Sequence, residues 1–158
     1  MAEKLKKLRL ILGDQLNHQH SWFKEEQDDI IYVLMEMRQE TDYTMHHIQK
    51  VVGFFLAMRN FAEYLKEREH EVIYYHINDK GNQQDLAENL KQLIKKNDIE
   101  KFEYQLPDEY RLDEQLKEIC DSLSIESEAY DTEHFLTQRD DLEKFYKGKK
   151  QMTMEYFY

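Results

Sequence analysis

Glycine, proline and cysteine are scarce in this 158-residue chain, which has four, one and one of them respectively. Gly13, Gly53, Gly81 and Gly148 stand too far apart for a dinucleotide fingerprint or a phosphate loop, because both motifs need closely spaced glycines. A glycine-rich pyrophosphate cradle is thereby excluded. With Cys120 alone, the chain can hold neither a disulfide framework, nor a four-cysteine zinc site, nor an iron-sulfur cluster of its own. A single free thiol fits a reducing cytoplasm, which is the expected location. No apolar run approaches the roughly 20 residues of a membrane span. The Met-Ala-Glu-Lys start has no apolar segment of signal-peptide type, so no membrane partner is expected. Positive charge is short as well: 22 Lys and Arg stand against 33 Asp and Glu, a net charge of −11. That field opposes the holding of a DNA backbone by the chain alone. Lys4, Lys6, Lys7 and Arg9 near the start, and Lys144, Lys147, Lys149 and Lys150 near the end, read as solvated faces.

What is present is a regular alternation of apolar patterns. The run Leu8-Arg9-Leu10-Ile11-Leu12 reads as a strand that stops at Gly13. Asp29 to Met37 is apolar on both alternating faces, as a central strand covered by helices on both sides must be. From Thr44 to Glu67, Ile48, Val51, Val52, Phe55, Met58, Ala62 and Leu65 keep the helical period, and Phe54 and Phe61 widen the stripe. Glu71 to Ile77 reads as a strand, Leu86 to Ile94 as a helix, and Lys101 to Leu106 as a strand stopped by Pro107. A helix through Leu116, Ile119, Cys120 and Leu123 and a strand over Ile125 to Tyr130 follow. Strands alternating with helices predict an α/β fold: a three-layer, doubly wound, Rossmann-like parallel sheet of five strands with right-handed crossovers. The length suits one core, and no internal repeat or linker rich in Pro, Gly or Ser interrupts it.

Ligand sites in such sheets lie at the carboxyl ends of the strands, and three clusters fall there. The first is Gly13-Asp14-Gln15, where glycine permits close backbone approach and the side chains offer a carboxylate and an amide. These groups suit a heterocycle or a polyol better than a phosphate, although they also suit the closing of a turn. The second follows the second strand and contains Glu36, Glu40, Tyr43, His46, His47 and Lys50. With a helix beginning near Thr44, His46 and Lys50 share one face of its first turns and could face the same cleft as Glu40. Adjacent helical histidines diverge and have no cysteine partner, so the pair reads as a ligand contact or a structural histidine rather than as zinc ligands. The third is Tyr110 and Arg111 after the fourth strand, expected opposite Asp14. A ring and a guanidinium beside a carboxylate would take a flat polar molecule, unless the segment is only a solvated loop.

These motifs also carry a resemblance. Leu8 to Leu16 with Trp22-Phe23, Tyr43 to Lys50 continuing through Ala57 to Ala62, and Arg139 to Tyr158 resemble, in that order, the bacterial photolyase-related proteins. These are the iron-sulfur cryptochromes and six-four photolyases, and the similarity runs through essentially the whole chain. The resemblance implies an N-terminal antenna domain that binds 6,7-dimethyl-8-ribityllumazine, a small aromatic chromophore that harvests light for a flavin. It implies Asp14, Gln15, Glu40, Tyr43, His46 and Lys50 as contacts, with Gly13 and Leu16 lining the floor. No residue of the chain need act as acid, base or nucleophile.

FAD, the iron-sulfur cluster and the contact with lesion-bearing DNA belong, in the family, to a C-terminal helical domain. We therefore expect residues 1–138 to form the antenna domain and residues 139–158 to lead toward that flavin domain. The apolar residues of 152–158 would dock on it or on a separate partner. The segment Leu106-Pro107-Asp108-Glu109 departs from the Glu-Pro-Gly-Glu frequent in relatives, which weakens the case for Tyr110 and Arg111. Two other readings stay open: a stand-alone nucleotide-binding or regulatory α/β module, and a structural domain that binds a partner through its C-terminal aromatics.

Overall fold

The computed structural model describes residues 5–24, 28–42, 44–151 and 153–157. Five strands form one parallel sheet: β1 (Lys7–Leu10), β2 (Ile30–Met35), β3 (Glu71–Tyr75), β4 (Lys101–Gln105) and β5 (Glu126–Tyr130), in the spatial order β3-β2-β1-β4-β5. The three-layer, Rossmann-like arrangement read from the alternation is the one found. β1 occupies the middle, with Leu8 opposite Ile31 on one side and Phe102 on the other. The strand read as central, β2, lies between β1 and β3 and is buried at every position.

The layers follow from the two-residue period of the strands. Leu8, Leu10, Ile31, Val33, Phe102 and Tyr104 point to one face and pack under α3 (Leu86–Lys96) and α4 (Tyr110–Ser122). Ile11, Ile30, Tyr32 and Leu34 point to the other. There α2 (Ile48–Lys66) contributes Phe55, Met58, Phe61 and Leu65, and a short 3-10 turn (Ser21–Phe23) adds Trp22 and Phe23. Arg9 corrects the reading of the N-terminal basic cluster as solvated. It is buried on this second face, its Nε donating to Glu103 at 2.7 Å and its Nη1 to the Tyr32 hydroxyl at 3.1 Å. Its guanidinium also lies 4.6 Å from the centre of the Trp22 ring. A buried guanidinium is tolerable only when paired and hydrogen-bonded in this way.

Several boundaries differ from the sequence reading. β1 ends at Leu10, and α2 begins at Ile48 rather than near Thr44. The imidazole Nδ1 of His47 accepts from the Gln49 N–H at 3.2 Å, so His47 is the cap that stops the helix from extending backward. A one-turn helix, α1 (Gln39–Asp42), precedes it. α4 starts at Tyr110, six residues before the expected Leu116, because its apolar stripe extends back to Leu112. After the sheet, α5 (Asp141–Tyr146) and a 3-10 turn (Met154–Tyr156) pack on each other: the Tyr146 hydroxyl donates to the Thr153 carbonyl at 2.7 Å, and the Phe145 and Phe157 rings meet edge-on at 5.3 Å. Met152 and Tyr158 of the expected docking tail lie outside the described residues. Among the described residues no helix is long and apolar enough to cross a membrane.

Candidate functional site

The chain runs from β1 outward through β2 to β3, then returns to the other side of β1 for β4 and β5. The crossover direction therefore reverses between β1 and β4. At such a reversal the loops leaving the two strands diverge and open a crevice at their carboxyl ends.

One side chain holds the two loops together beneath that crevice. Gln15 is buried. Its Oε1 accepts from the Leu12 N–H at 3.1 Å, and its Nε2 donates to the carbonyl of Gln105 at 3.1 Å. The turn closed by Gln15 sends the preceding residue, Asp14, outward. A second clasp acts on the loop after β4: Arg139, beyond β5, donates to the Leu106 carbonyl at 2.9 Å and to Asp108 at 3.1 Å, while its Nε meets Asp131 at 3.0 Å. A reciprocal amide pair, Gln39 with Gln115 at 2.5 and 3.2 Å, ties α1 to α4 and so fixes the neighbouring Glu40.

The cleft built in this way has a volume of about 180 Å³ and is lined by Asp14, Glu40, Thr41, His46, Lys50, Val51, Phe54 and Glu109. One wall is apolar, made by Val51 and Phe54 from the first turns of α2. The same lining carries three carboxyl groups from three different connections: Asp14 after β1, Glu40 in α1 after β2, and Glu109 after β4. Lys50 is the lining ammonium, and its Nζ lies 3.3 Å from His46 Nδ1.

Two of these carboxyl groups, Glu40 and Asp14, hold their protons more tightly than free carboxyls do. Glu40 is pushed up to about 7, first by burial, then by the charges of Asp14 and Glu109, with Arg111 pulling the other way. The Asp14 carboxyl is also raised: partial burial comes first, its backbone hydrogen bond opposes it, Asp108 adds to it, His134 opposes it, and Glu109 adds to it. Near neutral pH the Glu40 carboxyl is divided between an acceptor form and a form that can also donate.

Of the residues singled out in the sequence, Asp14, Glu40, His46 and Lys50 line the cleft together. Gly13 lies beneath, in a narrow crevice beside Leu10, Leu12, Met35 and Met37. The close approach that its missing side chain permits is taken by the ring of Phe54. Leu16 packs with the cluster around Trp22 and Phe61. The amide of Gln15 is spent on the loop, and His47 on the end of α2.

Glu36 does not line the cleft. It is fully buried and accepts from Arg59 at 2.5 and 3.0 Å, from the Tyr74 hydroxyl at 2.8 Å and from the Ile77 N–H at 2.9 Å. Burial pushes its carboxyl up, but those donors outweigh it and hold the group below its ordinary value. Tyr110 is not in the lining either: it opens α4 and is 77% exposed. Arg111 does not line the cleft; it pairs with Glu109 at 2.9 Å, and its charge acts on Glu40. Tyr43 lies outside the described residues. The sequence reading missed Thr41, Val51, Phe54 and Glu109. Val51 and Phe54 were read only as part of the core stripe of α2, and both do pack beside that core while also lining the cleft. Glu109 follows the strand across the reversal from β1, which was a signal for it.

Among the described residues no cluster of three or more His, Cys, Asp or Glu could hold a metal ion. The lining offers hydrogen-bond acceptors, one ammonium and an aromatic wall, a set that binds and orients a flat polar molecule.

Comparison with known proteins places these features in a family. The family described as deoxyribodipyrimidine photo-lyase-related protein matches residues 9–158. A (6-4) photolyase of Agrobacterium fabrum (strain C58 / ATCC 33970) is 31% identical over 157 residues. The alignment covers 98% of this chain and 31% of the relative, so the chain spans about a third of that protein's length. From strand β1 to the C-terminal 3-10 turn, the chain belongs to the deoxyribodipyrimidine photo-lyase-related protein family.

Proposed function

We propose that this chain is the light-harvesting, chromophore-binding part of a cytoplasmic photolyase-related protein of the cryptochrome and photolyase type, and that its cleft holds 6,7-dimethyl-8-ribityllumazine. The observation that carries the reading is the cleft at the β1/β4 reversal, whose lining combines three carboxyl groups with the apolar Val51 and Phe54. A bicyclic heterocycle can lie on Phe54 and Val51, while its ring N–H and ribityl hydroxyls donate to Asp14, Glu40 and Glu109. The chromophore absorbs near-ultraviolet and blue light and passes the excitation to a flavin. The chain's own task is to hold it in a fixed orientation and keep quenching water away. FAD, an iron-sulfur cluster and contact with DNA would belong to the remainder of the longer protein, whether it repairs DNA or senses light. The segment from Arg139 onward would lead to that part.

The rival reading, a nucleotide-binding regulatory module, needs a place for phosphates, and the lining supplies three carboxyl groups instead. The test is a titration of the purified chain with the ribityl lumazine, followed by absorption and fluorescence, with ATP as control. The expected result is saturable binding with a shifted lumazine spectrum. A response to ATP with none to lumazine would overturn the proposal.

A further inference from the structure

The cleft has a charge arrangement that goes beyond holding a flat ring. Its lining sets three carboxyl groups, Asp14, Glu40 and Glu109, against one ammonium, Lys50, and that ammonium is already engaged with His46 at 3.3 Å. Close by, Arg111 is paired with Glu109 at 2.9 Å, and Asp108 is shared between Arg139 and His134 at 3.1 Å each. The cations flanking the cleft thus have carboxylate partners. The other natural seat for an anion, the N-terminus of the 19-residue helix α2, ends at the same wall. It is occupied from within: Gln49 N–H donates to the His47 ring, and the N–H groups of Lys50 and Val51 both turn to the His47 carbonyl, at 2.9 and 3.3 Å.

Resting on the proposed chromophore reading, we infer that this cleft selects a ligand whose polyol chain is unphosphorylated and rejects the corresponding phosphate monoester. Free hydroxyl groups donate to the carboxylates and neutralise their demand for partners. A dianionic phosphate would meet the like charge of Asp14 and Glu109, with Glu40 adding to it as it ionises, and find neither a free helix N-terminus nor a cation without a partner of its own. The selection therefore separates free ribityl chromophores from phosphorylated flavins and nucleotides.

The experiment compares 6,7-dimethyl-8-ribityllumazine with its own 5′-phosphate, titrated into the full chain by fluorescence at low and at high salt. The free alditol is expected to bind at least about tenfold more tightly at low salt, with the gap narrowing at high salt as the repulsion is screened. Glu109→Gln removes one carboxylate. Glu109 is exposed and makes no side-chain cap bond to α4, so the fold should tolerate the change. The variant is expected to narrow the gap, and Lys50→Gln to widen it. Equal affinity for the two compounds, or a gap that ignores both salt and Glu109→Gln, would overturn the inference and leave the chromophore reading standing. Binding of neither compound would overturn that reading, and the inference with it.

Discussion

The ring of Phe54 rests directly on the backbone of Gly13. A Cβ placed at Gly13 would come within 2.7 Å of Phe54 Cε1 and 3.0 Å of the Met58 sulfur. Gly13 has no positive φ among the backbone exceptions of the chain, so it is there for space and not for an unusual turn. The loop that leaves β1 thereby touches α2 at the point where α2 supplies the aromatic wall of the cleft.

Gly13→Ala is therefore expected to displace Phe54 more than it unfolds the domain. The clashing atom is the far end of a ring that can rotate, so the stability cost should stay at about 1–2 kcal/mol, the lower part of the overpacking range. Lumazine affinity should fall by more than that loss explains, since the wall itself moves. Pairing Gly13→Ala with Phe54→Ala should recover the stability, giving a non-additive cycle in thermal melts. Additive losses would show that Gly13 serves something other than Phe54.

Gln15→Leu tests the loop clasp separately from the ligand. The substitution leaves the Leu12 N–H and the Gln105 carbonyl without their side-chain partner in a buried place. A destabilisation of about 2–3 kcal/mol is expected by chemical denaturation. Asp14→Ala, by contrast, should leave the denaturation midpoint close to that of the wild type and weaken lumazine binding. If Gln15→Leu were silent in stability, the amide would not be holding the β1 and β4 loops together.

The scarcity of glycine has a cost at the ends of helices. Left-handed backbone positions follow α2 and α3, and the chain fills them with Glu69 (φ 64°) and Asp98 (φ 52°). Glycine is the usual residue at such positions because a Cβ there clashes with the backbone. Glu69→Gly and Asp98→Gly should each raise stability by about 0.5–1 kcal/mol, read as a higher melting temperature with an unchanged lumazine affinity. A lower melting temperature would mean that the lost side chain contributes more than the relieved strain.

The fold was legible because its signals are local. Leu8-Arg9-Leu10 and Ile30 to Met35 announce buried strands by their composition, and Val51, Phe55, Met58, Ala62 and Leu65 announce a helix by their spacing. Arg9 was misread because a buried guanidinium is visible only through its partners, and Glu103 is 94 residues away. The site was legible in part for the same reason. Asp14, Glu40, His46 and Lys50 lie close to strand ends, where a ligand must bind. His47 and Gln15 carry equally suggestive side chains at the same ends, but His47 is spent on its own helix end and Gln15 on the backbone of the loops after β1 and β4. Glu36 has the chemistry of a site residue, yet Arg59, Tyr74 and Ile77 absorb it into the β2–β3 edge, and no pattern in the sequence announces that convergence.

Glu40 gives the pH behaviour its sign. Its folded carboxyl titrates near 7, whereas an unfolded glutamate titrates near 4.5, so between these values the folded chain binds more protons than the unfolded one. Stability must then fall as pH rises from about 4.5 to about 7, and level off above, as far as this group is concerned. Glu40→Gln removes the titration. The variant should gain about 1–2 kcal/mol over the wild type at pH 8 and nothing at pH 4. The gain is less than the full shift implies, because the carboxyl is only partly withdrawn from water. Denaturation curves of the two proteins at both pH values supply the measurement. A constant difference across the range would mean that burial and the neighbouring Asp14 and Glu109 charges do not hold the Glu40 proton, and the three carboxyl groups would then act as separate surface charges rather than as one cluster.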